Sequence, residues 1–215
     1  MSTMNNEFSK IRKDFSKFNI NLKELDSDPI KQIEKWVDDA VEFKQAEPTA
    51  MSLSTVDENL MPYTRVVLLK GVDGGLIFYT NYQSSKGKQI EFSNKVSLQF
   101  FWPELERQIH INGVVEMVEE NLSDNYFNSR PRDSQIGAWA SSQSEEIESF
   151  EDIETRFNDF AKKFEGKNVP RPKHWGGYRV MPTQIEFWQG RPNRLHQRVK
   201  YVKNGTQWEI MLLSP

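Results

Sequence analysis

A short segment near the carboxyl end, residues 188–198 (WQGRPNRLHQR), carries the side chains best suited to chemistry. Arg194, His196 and Arg198 stand at alternate positions, and alternate side chains of a β-strand point to the same face. Two guanidinium groups and an imidazole on one face repel one another unless an anion or a π-system lies against them. The spacing therefore predicts a strand that faces a bound anion or an aromatic ring system.

A second group of candidate residues lies in the sequence YFNSRPRDS, which begins at Tyr126. Tyr126 and Arg130 are four residues apart, so they share one face of a helix. Pro131 ends that helix, and Asp133 or Ser134 can begin the next one. A phenol, a guanidinium and a serine hydroxyl could then converge on one phosphate. The alternative is a helix–loop–helix with local salt bridges.

Two further segments place cations where an anion could bind. Residues 84–86 (SSK) precede a predicted helix, and hydroxyls, backbone N–H groups and a lysine at a helix start can bind a phosphate. Simple N-capping by serine is the commoner reason for such a sequence. Arg65 and Lys70 flank residues 66–69 (VVLL), the most apolar run of the chain. On a regular strand these two cations point to opposite faces, and charges beside a buried strand need partners.

The composition excludes several kinds of site. The chain has 215 residues, a net charge of −3 and no cysteine, which removes disulfides, zinc–thiolate sites, iron–sulfur clusters and cysteine nucleophiles. His110, His174 and His196 lack the spacing of metal ligands, so we expect no metal site. The sequence has no apolar run of about 20 residues and no apolar signal core near its start. We therefore expect no membrane segment, no nucleic-acid binding and a cytoplasmic protein.

The elements that must position these residues follow from hydrophobic periodicity and turn signals. Helices are predicted at residues 29–46, 84–94, 121–130 and 133–140, with another from Phe150 to near Gly166. Strands are predicted at residues 49–56, 60–70, 76–80, 95–102, 107–118, 178–180, 184–189, 194–201 and 207–213. Strand runs on both sides of a helical insert favour antiparallel pairing. We expect a polar lead-in over residues 1–27 and one α+β domain over residues 28–215, mostly β, with the insert at about 121–165.

Several motifs, taken in order, closely resemble one family, the FMN-dependent pyridoxine/pyridoxamine 5′-phosphate oxidases. The motifs are RVVLLK (65–70), FYTN (78–81), LERQ (105–108), NSRPRDSQIGAW (128–139), HWGGYRV (174–180), IEFWQG (185–190) and RLHQR (194–198). Their order and spacing follow the family from about Asp28 to Pro215. The resemblance implies a split antiparallel β-barrel that forms a homodimer, with two FMN molecules at the dimer interface.

The resemblance also implies an activity in vitamin B6 salvage and pyridoxal 5′-phosphate biosynthesis. Pyridoxamine 5′-phosphate or pyridoxine 5′-phosphate is oxidised to pyridoxal 5′-phosphate. A hydride passes from the substrate C4′ to the flavin N5, and O2 reoxidises the flavin to give H2O2. The amine substrate also releases ammonia.

Site residues follow from the same resemblance, position by position. Those that match FMN contacts are Arg65, Val66, Val67, Leu68, Leu69, Lys70, Tyr79, Thr80, Ser85, Lys86, Gln108, Gln143, Ser144, Trp188 and Arg198. Those that match substrate contacts are Arg12, Lys70, Tyr126, Arg130, Ser134, Arg194 and His196. Lys86 matches a ligand of the FMN phosphate, and Gln143 and Ser144 match contacts from the partner subunit. Arg194 and His196 are the expected catalytic residues, which orient the substrate and handle protons.

Two positions depart from the family pattern. Ser85 stands where many members have an arginine, so the FMN phosphate loses one charge, and weaker cofactor affinity is expected. Arg12 and Phe15 stand where some members place an arginine and a tyrosine over the substrate, and Phe15 lacks the hydroxyl.

Two other functions remain open from the sequence alone. One is a non-catalytic protein that holds FMN or pyridoxal 5′-phosphate. The other is a flavin reductase that uses NAD(P)H, although the chain has no GxGxxG dinucleotide signature. The complete set of expected substrate residues favours the oxidase over both.

Overall fold

A computed structural model describes residues 8–11 and 14–215. Its five α-helices within those residues are α1 (Pro29–Glu42), α2 (Ser85–Phe92), α3 (Glu120–Ser129), α4 (Arg132–Ala140) and α5 (Phe150–Lys163). Across the described part of the chain, every helix is too short or too polar to span a membrane. The contacts divide the chain into two compact units, one comprising the described residues up to Pro48 with 100–110 and 184–215, the other residues 49–99 and 111–183. The single-domain organisation expected from the sequence stays a prediction.

Nine strands among the described residues belong to one sheet. They are β1 (Ala50–Val56), β2 (Pro62–Leu68), β3 (Gly71–Val72), β4 (Leu76–Asn81), β5 (Lys95–Trp102), β6 (Arg107–Met117), β7 (Trp175–Gln189), β8 (Gln197–Asn204) and β9 (Gln207–Leu213). Their order is β2-β1-β5-β6-β7-β4-β3, with β8 paired to β7 and β9 paired to β8.

In the first unit, α1 packs one apolar face against the strand β7. Asp28 caps the helix by accepting a hydrogen bond from the N–H of Ile30 (2.9 Å), as its sequence predicts. The ring of Trp36 meets that of Phe187 edge-on, with centroids 5.0 Å apart. The helix ends at Glu42 rather than at residue 46, because Lys44 adopts a left-handed backbone (φ 51°) that a helix cannot continue.

In the second unit, the predicted hairpin is confirmed. β1 and β2 pair antiparallel from Ala50 opposite Leu68 to Val56 opposite Pro62. β4 and β7 also pair antiparallel, and this register places Tyr79 opposite Gly177. A side chain at residue 177 would meet the Tyr79 ring at 2.7 Å, so the close approach of the two strands requires glycine there.

Three sequence interpretations are corrected by the structure. Residues 178–180 and 184–189 belong to one strand of 15 residues, β7, rather than two. Residues 66–69 are not a buried strand, since Val66 is 65% exposed on β2, a strand at the end of the sheet order. Arg194, His196 and Arg198 do not share a strand face, because β8 begins at Gln197 and Arg194 lies in a 3-10 turn.

One polar cluster in the second unit ties β7 to its neighbours. Arg179, on β7, donates hydrogen bonds to Asp73 (2.9 Å), Glu116 (3.0 Å) and Glu119 (3.4 Å). Its side chain is 12% exposed, whereas the three carboxylates are largely in solvent. A hydrogen bond that its carboxylate accepts from its own backbone N–H, followed by the charge of Arg179, lowers the pKa of Glu119.

Replacing Arg179 with methionine is expected to lower stability by about 1 kcal/mol at neutral pH, since three carboxylates lose a shared cation. A carboxylate whose pKa is lowered on folding stabilises the folded chain above its unfolded pKa and loses that effect as pH falls. The difference between the two proteins should therefore shrink as pH falls through the range where Glu119 is protonated. Thermal unfolding at several pH values measures it, and an equal difference at every pH would contradict the role of the carboxylates.

Candidate active site

A cavity of about 500 Å³ lies within the second unit. It collects cationic and hydroxyl side chains from four parts of the sequence: the loop after β2, the strand β4 with the start of α2, the end of α3, and α4. Its lining residues are Val66, Val67, Leu68, Lys70, Tyr79, Thr80, Asn81, Lys86, Tyr126, Arg130, Ser134, Gly137, Ala138, Ser141, Gln143 and Trp175. Eleven of the candidate residues named from the sequence are therefore brought together here.

The start of α2 forms one end of the polar lining. Ser84 caps the helix, as its sequence predicts, by accepting from the N–H of Gly87 (3.4 Å). The Lys86 ammonium donates to Ser84 Oγ (3.2 Å) and to Gln143 Oε1 (3.1 Å). Burial, and then the charge of Arg65, lowers the pKa of Lys86 to about 8. Its hydrogen-bond partners among the described residues are neutral, and an anion bound there would raise its pKa again.

Arg65 is held beside this end of the cavity by neutral acceptors. Its Nη1 donates to Thr55 Oγ1 (2.6 Å) and to the Leu53 carbonyl (3.2 Å), and its Nη2 donates to Gln89 Oε1 (2.9 Å). Burial lowers the pKa of Arg65. Arg65 is not among the residues that line the cavity, so its main effect on an anion is through its charge.

A further set of polar lining residues comes from α3, its carboxyl end and α4. Arg130 directly follows α3, and within the described part of the chain its buried Nη1 has no hydrogen-bond partner. Its guanidinium lies over the ring of Trp175, 4.6 Å from the centroid. Tyr126 stacks on Tyr79 with centroids 4.0 Å apart, and burial raises the pKa of both phenols. These phenols therefore stay protonated at neutral pH and can donate hydrogen bonds.

Three residues of the expected cofactor set have defined places within one chain, and the partner contacts expected of Gln143 and Ser144 stay a prediction. Gln143, expected to act from a partner subunit, contacts Lys86 and Thr80 of its own chain (3.1 and 3.4 Å). Ser144 is exposed beside it in a left-handed backbone (φ 73°), and Ser85 is exposed at the start of α2. Neither serine is among the lining residues of the cavity.

A second cavity, of about 520 Å³, lies within the first unit. Its lining residues are Ile11, Asp14, Phe15, Arg191, Asn193, Arg194 and His196. The two expected catalytic residues are therefore adjacent in the structure, although they do not lie on a strand. Asn193 and Arg194 both adopt left-handed backbone (φ 57° and 62°), a conformation that costs free energy for residues other than glycine.

The imidazole of His196 is held in one tautomer. Its Nδ1 accepts a hydrogen bond from the N–H of Arg191 (3.1 Å), which leaves the proton on Nε2. The ring lies 4.6 Å from that of Trp188 and 5.9 Å from that of Phe15. Burial, and then the charge of Arg194, lowers the pKa of His196, so the ring is neutral at pH 7.

Of the other expected residues, Gln108, Trp188 and Arg198 belong to the first unit and Leu69 belongs to the second. Arg198, on β8, forms a two-point ion pair with Glu186 (2.7 and 3.0 Å). Gln108 lies on β6, and Arg12 lies outside the described residues. The sequence reasoning did not single out Glu186 or Trp175, although both fall within motifs that carried the family resemblance.

Two family models match the chain. One, described as pyridoxamine 5′-phosphate oxidase, matches residues 37–163. The other, described as the pyridoxine 5′-phosphate oxidase C-terminal dimerisation region, matches residues 175–215. Together they cover all of the expected site residues except Arg12.

Individual proteins match over nearly their full lengths. A pyridoxine/pyridoxamine 5′-phosphate oxidase of Cupriavidus metallidurans is 47% identical over 211 residues, which cover 97% of this chain and 99% of the relative. One of Nostoc punctiforme is 47% identical over 215 residues, covering 99% and 100%. Among solved structures, PhzG from Burkholderia lata, in complex with tetrahydrophenazine-1-carboxylic acid, has a TM-score of 0.88 and 28% identity and covers 94% and 100%.

The structural match confirms the expected fold class, an antiparallel sheet with helices. The identity to the curated relatives is far above what chance similarity gives over such a length, and it includes both family regions. The chain belongs to the pyridoxine/pyridoxamine 5′-phosphate oxidase family.

Proposed function

We propose that the protein is an FMN-dependent oxidase that converts pyridoxamine 5′-phosphate or pyridoxine 5′-phosphate to pyridoxal 5′-phosphate with O2. The observation that carries the proposal is one cavity lined by three cationic side chains, Lys70, Lys86 and Arg130. Among the described residues, no carboxylate forms an ion pair with Lys86 or Arg130. Cations with neutral partners suit the phosphates of a cofactor and a substrate.

The residues fit FMN in their donor chemistry. Lys86, the hydroxyl of Thr80 and the amide of Gln143 are a set of groups that a phosphate can bridge. The apolar side chains of Val66 and Leu68, exposed on β2, offer a surface for a flat ring. When bound, the flavin supplies the redox chemistry: it accepts a hydride from the substrate and passes the electrons to O2.

A homodimer is part of the proposal. Lys86 and Arg130 lie in one unit of the chain, whereas His196 and Arg194 line a cavity in the other. Residues 175–215 match a family region described as a dimerisation region. We propose that the functional form is a homodimer, since the family resemblance implies two FMN molecules at a dimer interface. The cytoplasmic location stays a prediction.

The chain's own residues would act by positioning and by charge. Arg130, Tyr126, Ser134 and Lys70 hold the substrate phosphate and so fix the distance of the reacting carbon. Arg194 places a positive charge beside the ring of the substrate. His196, neutral and with its proton on Nε2, can donate a hydrogen bond to a substrate oxygen or nitrogen.

Cofactor binding should depend on pH through Lys86. In the ligand-free protein its pKa is about 8, so above that pH a phosphate binds only with uptake of a proton. We expect FMN affinity to fall about tenfold between pH 7 and pH 9 and to be nearly flat in Lys86→Gln, at a lower level. Fluorescence titration of FMN measures this.

Lys88→Gln is the matched control, because Lys88 is exposed on the same helix and should leave the pH profile unchanged. Riboflavin, which lacks the phosphate, should show no fall above pH 8. A wild-type profile that is flat from pH 7 to 9 would contradict this role for Lys86.

The proposed function is tested with the FMN-loaded protein and no oxygen. Addition of pyridoxamine 5′-phosphate should bleach the flavin absorbance, and air should restore it with formation of pyridoxal 5′-phosphate. If neither B6 phosphate bleaches the flavin absorbance but NADH does, the protein is a reductase. If none of the three compounds bleaches it, the non-catalytic binder is favoured. Bleaching only by a reduced phenazine carboxylate, the type of ligand present in the Burkholderia lata structure, would identify a different oxidase.

A further inference from the structure

Trp175 stands out because its contacts reach from the protein core to a cation of the cavity. It is 7% exposed and belongs to a core cluster with Phe127, Ile136, Phe164 and Val169. It also lines the cavity together with Arg130. The indole is therefore held in place on one side by packed apolar groups and is in contact with a charged group of the candidate site.

The contact between Trp175 and Arg130 has the geometry of a cation–π interaction. The guanidinium carbon lies 4.6 Å from the centroid of the indole, well inside the range in which such pairs attract. The same guanidinium lies 5.7 Å from the centroid of Phe127, a weaker contact with a weaker aromatic partner. Among the described residues, no carboxylate forms an ion pair with Arg130.

The backbone alone does not fix this arginine. Arg130 has left the helix α3, with an extended backbone (φ −71°, ψ 149°), and precedes Pro131. An arginine side chain has four rotatable bonds, so this position alone leaves it several orientations. The Nη1 of Arg130 is buried and finds no hydrogen-bond partner in residues 8–11 and 14–215. A planar ring can hold a guanidinium in one orientation without using its N–H donors, which an acceptor such as a carboxylate would use.

The rings around Trp175 support this arrangement. Tyr79 and Tyr126 are nearly parallel to the indole, with interplanar angles of 9° and 6° and centroids 5.6 and 6.2 Å away. Residue 175 is also paired to Asn81 of β4, so the backbone below the indole is part of the sheet. The orientation of the indole is thus set by strand pairing and ring packing before any ligand binds.

We propose that Trp175 is a positioning residue for substrate: its indole holds Arg130 by a cation–π contact so that the guanidinium donors remain available for the substrate phosphate. The inference rests on the proposed function, since it assigns the phosphate of the B6 substrate to Arg130. It adds a residue that acts through Arg130 and does not itself touch the phosphate. A purely structural role in the core cluster predicts no such dependence.

The test replaces Trp175 with fluorinated tryptophans, in FMN-loaded protein. Successive fluorine atoms weaken the negative face of the ring with little change in its shape, so folding is preserved. We expect KM for pyridoxamine 5′-phosphate to rise with each fluorine, by about tenfold for the most fluorinated ring, while kcat changes little. For pyridoxamine without the phosphate, KM should not change. Trp175→Phe should give a KM between that of the wild type and that of the most fluorinated ring. Trp175→Leu should give a KM as high as that of the most fluorinated ring.

Equilibrium binding of pyridoxal 5′-phosphate to the same proteins is measured beside KM, because it does not depend on turnover. Its dissociation constant should follow the same fluorination series, and the series should have no effect in the Arg130→Ala background. A KM and a dissociation constant that are both independent of fluorination would overturn the role of Trp175. Binding that follows the series without oxidation would refute the proposed oxidase and leave the role of Trp175 standing. A wild-type protein that neither binds nor oxidises B6 phosphates refutes both.

Discussion

Replacing Arg194 with alanine is expected to lower kcat by about two orders of magnitude while the FMN content stays that of the wild type. Arg194 lines the cavity that contains His196, and its charge acts on that ring. Its left-handed backbone indicates that the fold holds this side chain in place at some cost in free energy. In the proposed enzyme, Arg194 fixes the orientation of the substrate ring, and loss of that orientation slows the transfer of the hydride from C4′. Turnover per bound flavin, with flavin measured by absorbance, checks the expectation.

The pH profile of the same variant gives a second readout. Without the Arg194 charge, one of the two causes that lower the pKa of His196 is removed, so that pKa should rise toward its ordinary value. Lys203→Ala serves as the control, since it removes the same charge from the exposed end of β8. Loss of flavin with unchanged turnover per remaining flavin would place Arg194 in the cofactor site instead.

Replacing Arg130 with alanine is expected to raise KM for the phosphorylated substrates by about 30-fold, with a much smaller change in kcat. The guanidinium lines the cavity with the hydroxyls of Tyr126 and Ser134, and its buried Nη1 has no hydrogen-bond partner among the described residues. A charged hydrogen bond to a phosphate that lies far from the hydride contributes to binding in the ground state and the transition state alike, so its loss appears in KM.

Two comparisons separate the phosphate contact from a general loss of structure. Pyridoxamine without the phosphate should have the same KM with wild-type and Arg130→Ala protein. Arg130→Lys keeps the charge but loses the planar fork, so its KM should lie between those of the other two. An unchanged KM for pyridoxamine 5′-phosphate in Arg130→Ala would remove Arg130 from the substrate site.

Much of the fold could be predicted because local signals agreed with the final packing. Ser84 and Asp28 cap the helices that their sequences predict, and β9 spans the predicted residues, Gln207–Leu213. The errors have physical causes. Residues 181–183, which separate the two strands predicted from the sequence, include Pro182. They fall between the pairing with β4, which ends at Val180, and the pairing with β8, which begins at Gln184. Because Pro182 belongs to neither set of paired residues, it interrupts neither pairing.

The candidate site was predictable as a set of residue types and only partly as an arrangement. Tyr126 and Arg130 line one cavity, as helical spacing suggested. The strand expected for Arg194 and His196 is instead a turn, because alternation of polar residues over five positions cannot distinguish a strand from a turn. Trp175 could not be singled out from spacing, since its role depends on Arg130, which lies 45 positions earlier in the chain. Contacts of that kind are set by tertiary packing.

The cations of the first cavity have neutral rather than anionic partners among the described residues, and this affects the choice of buffer for the protein. Lys86 and Arg130 are partly withdrawn from water with neutral groups around them, so the ligand-free fold carries uncompensated positive charge. Any small anion that enters this cavity stabilises the folded chain by mass action, in proportion to the logarithm of its concentration over its dissociation constant. We therefore expect phosphate or sulfate in a buffer to stabilise the ligand-free protein against unfolding. The same anions should compete with the ligands of this cavity. Affinities measured in phosphate buffer and in a chloride buffer are different quantities for this protein.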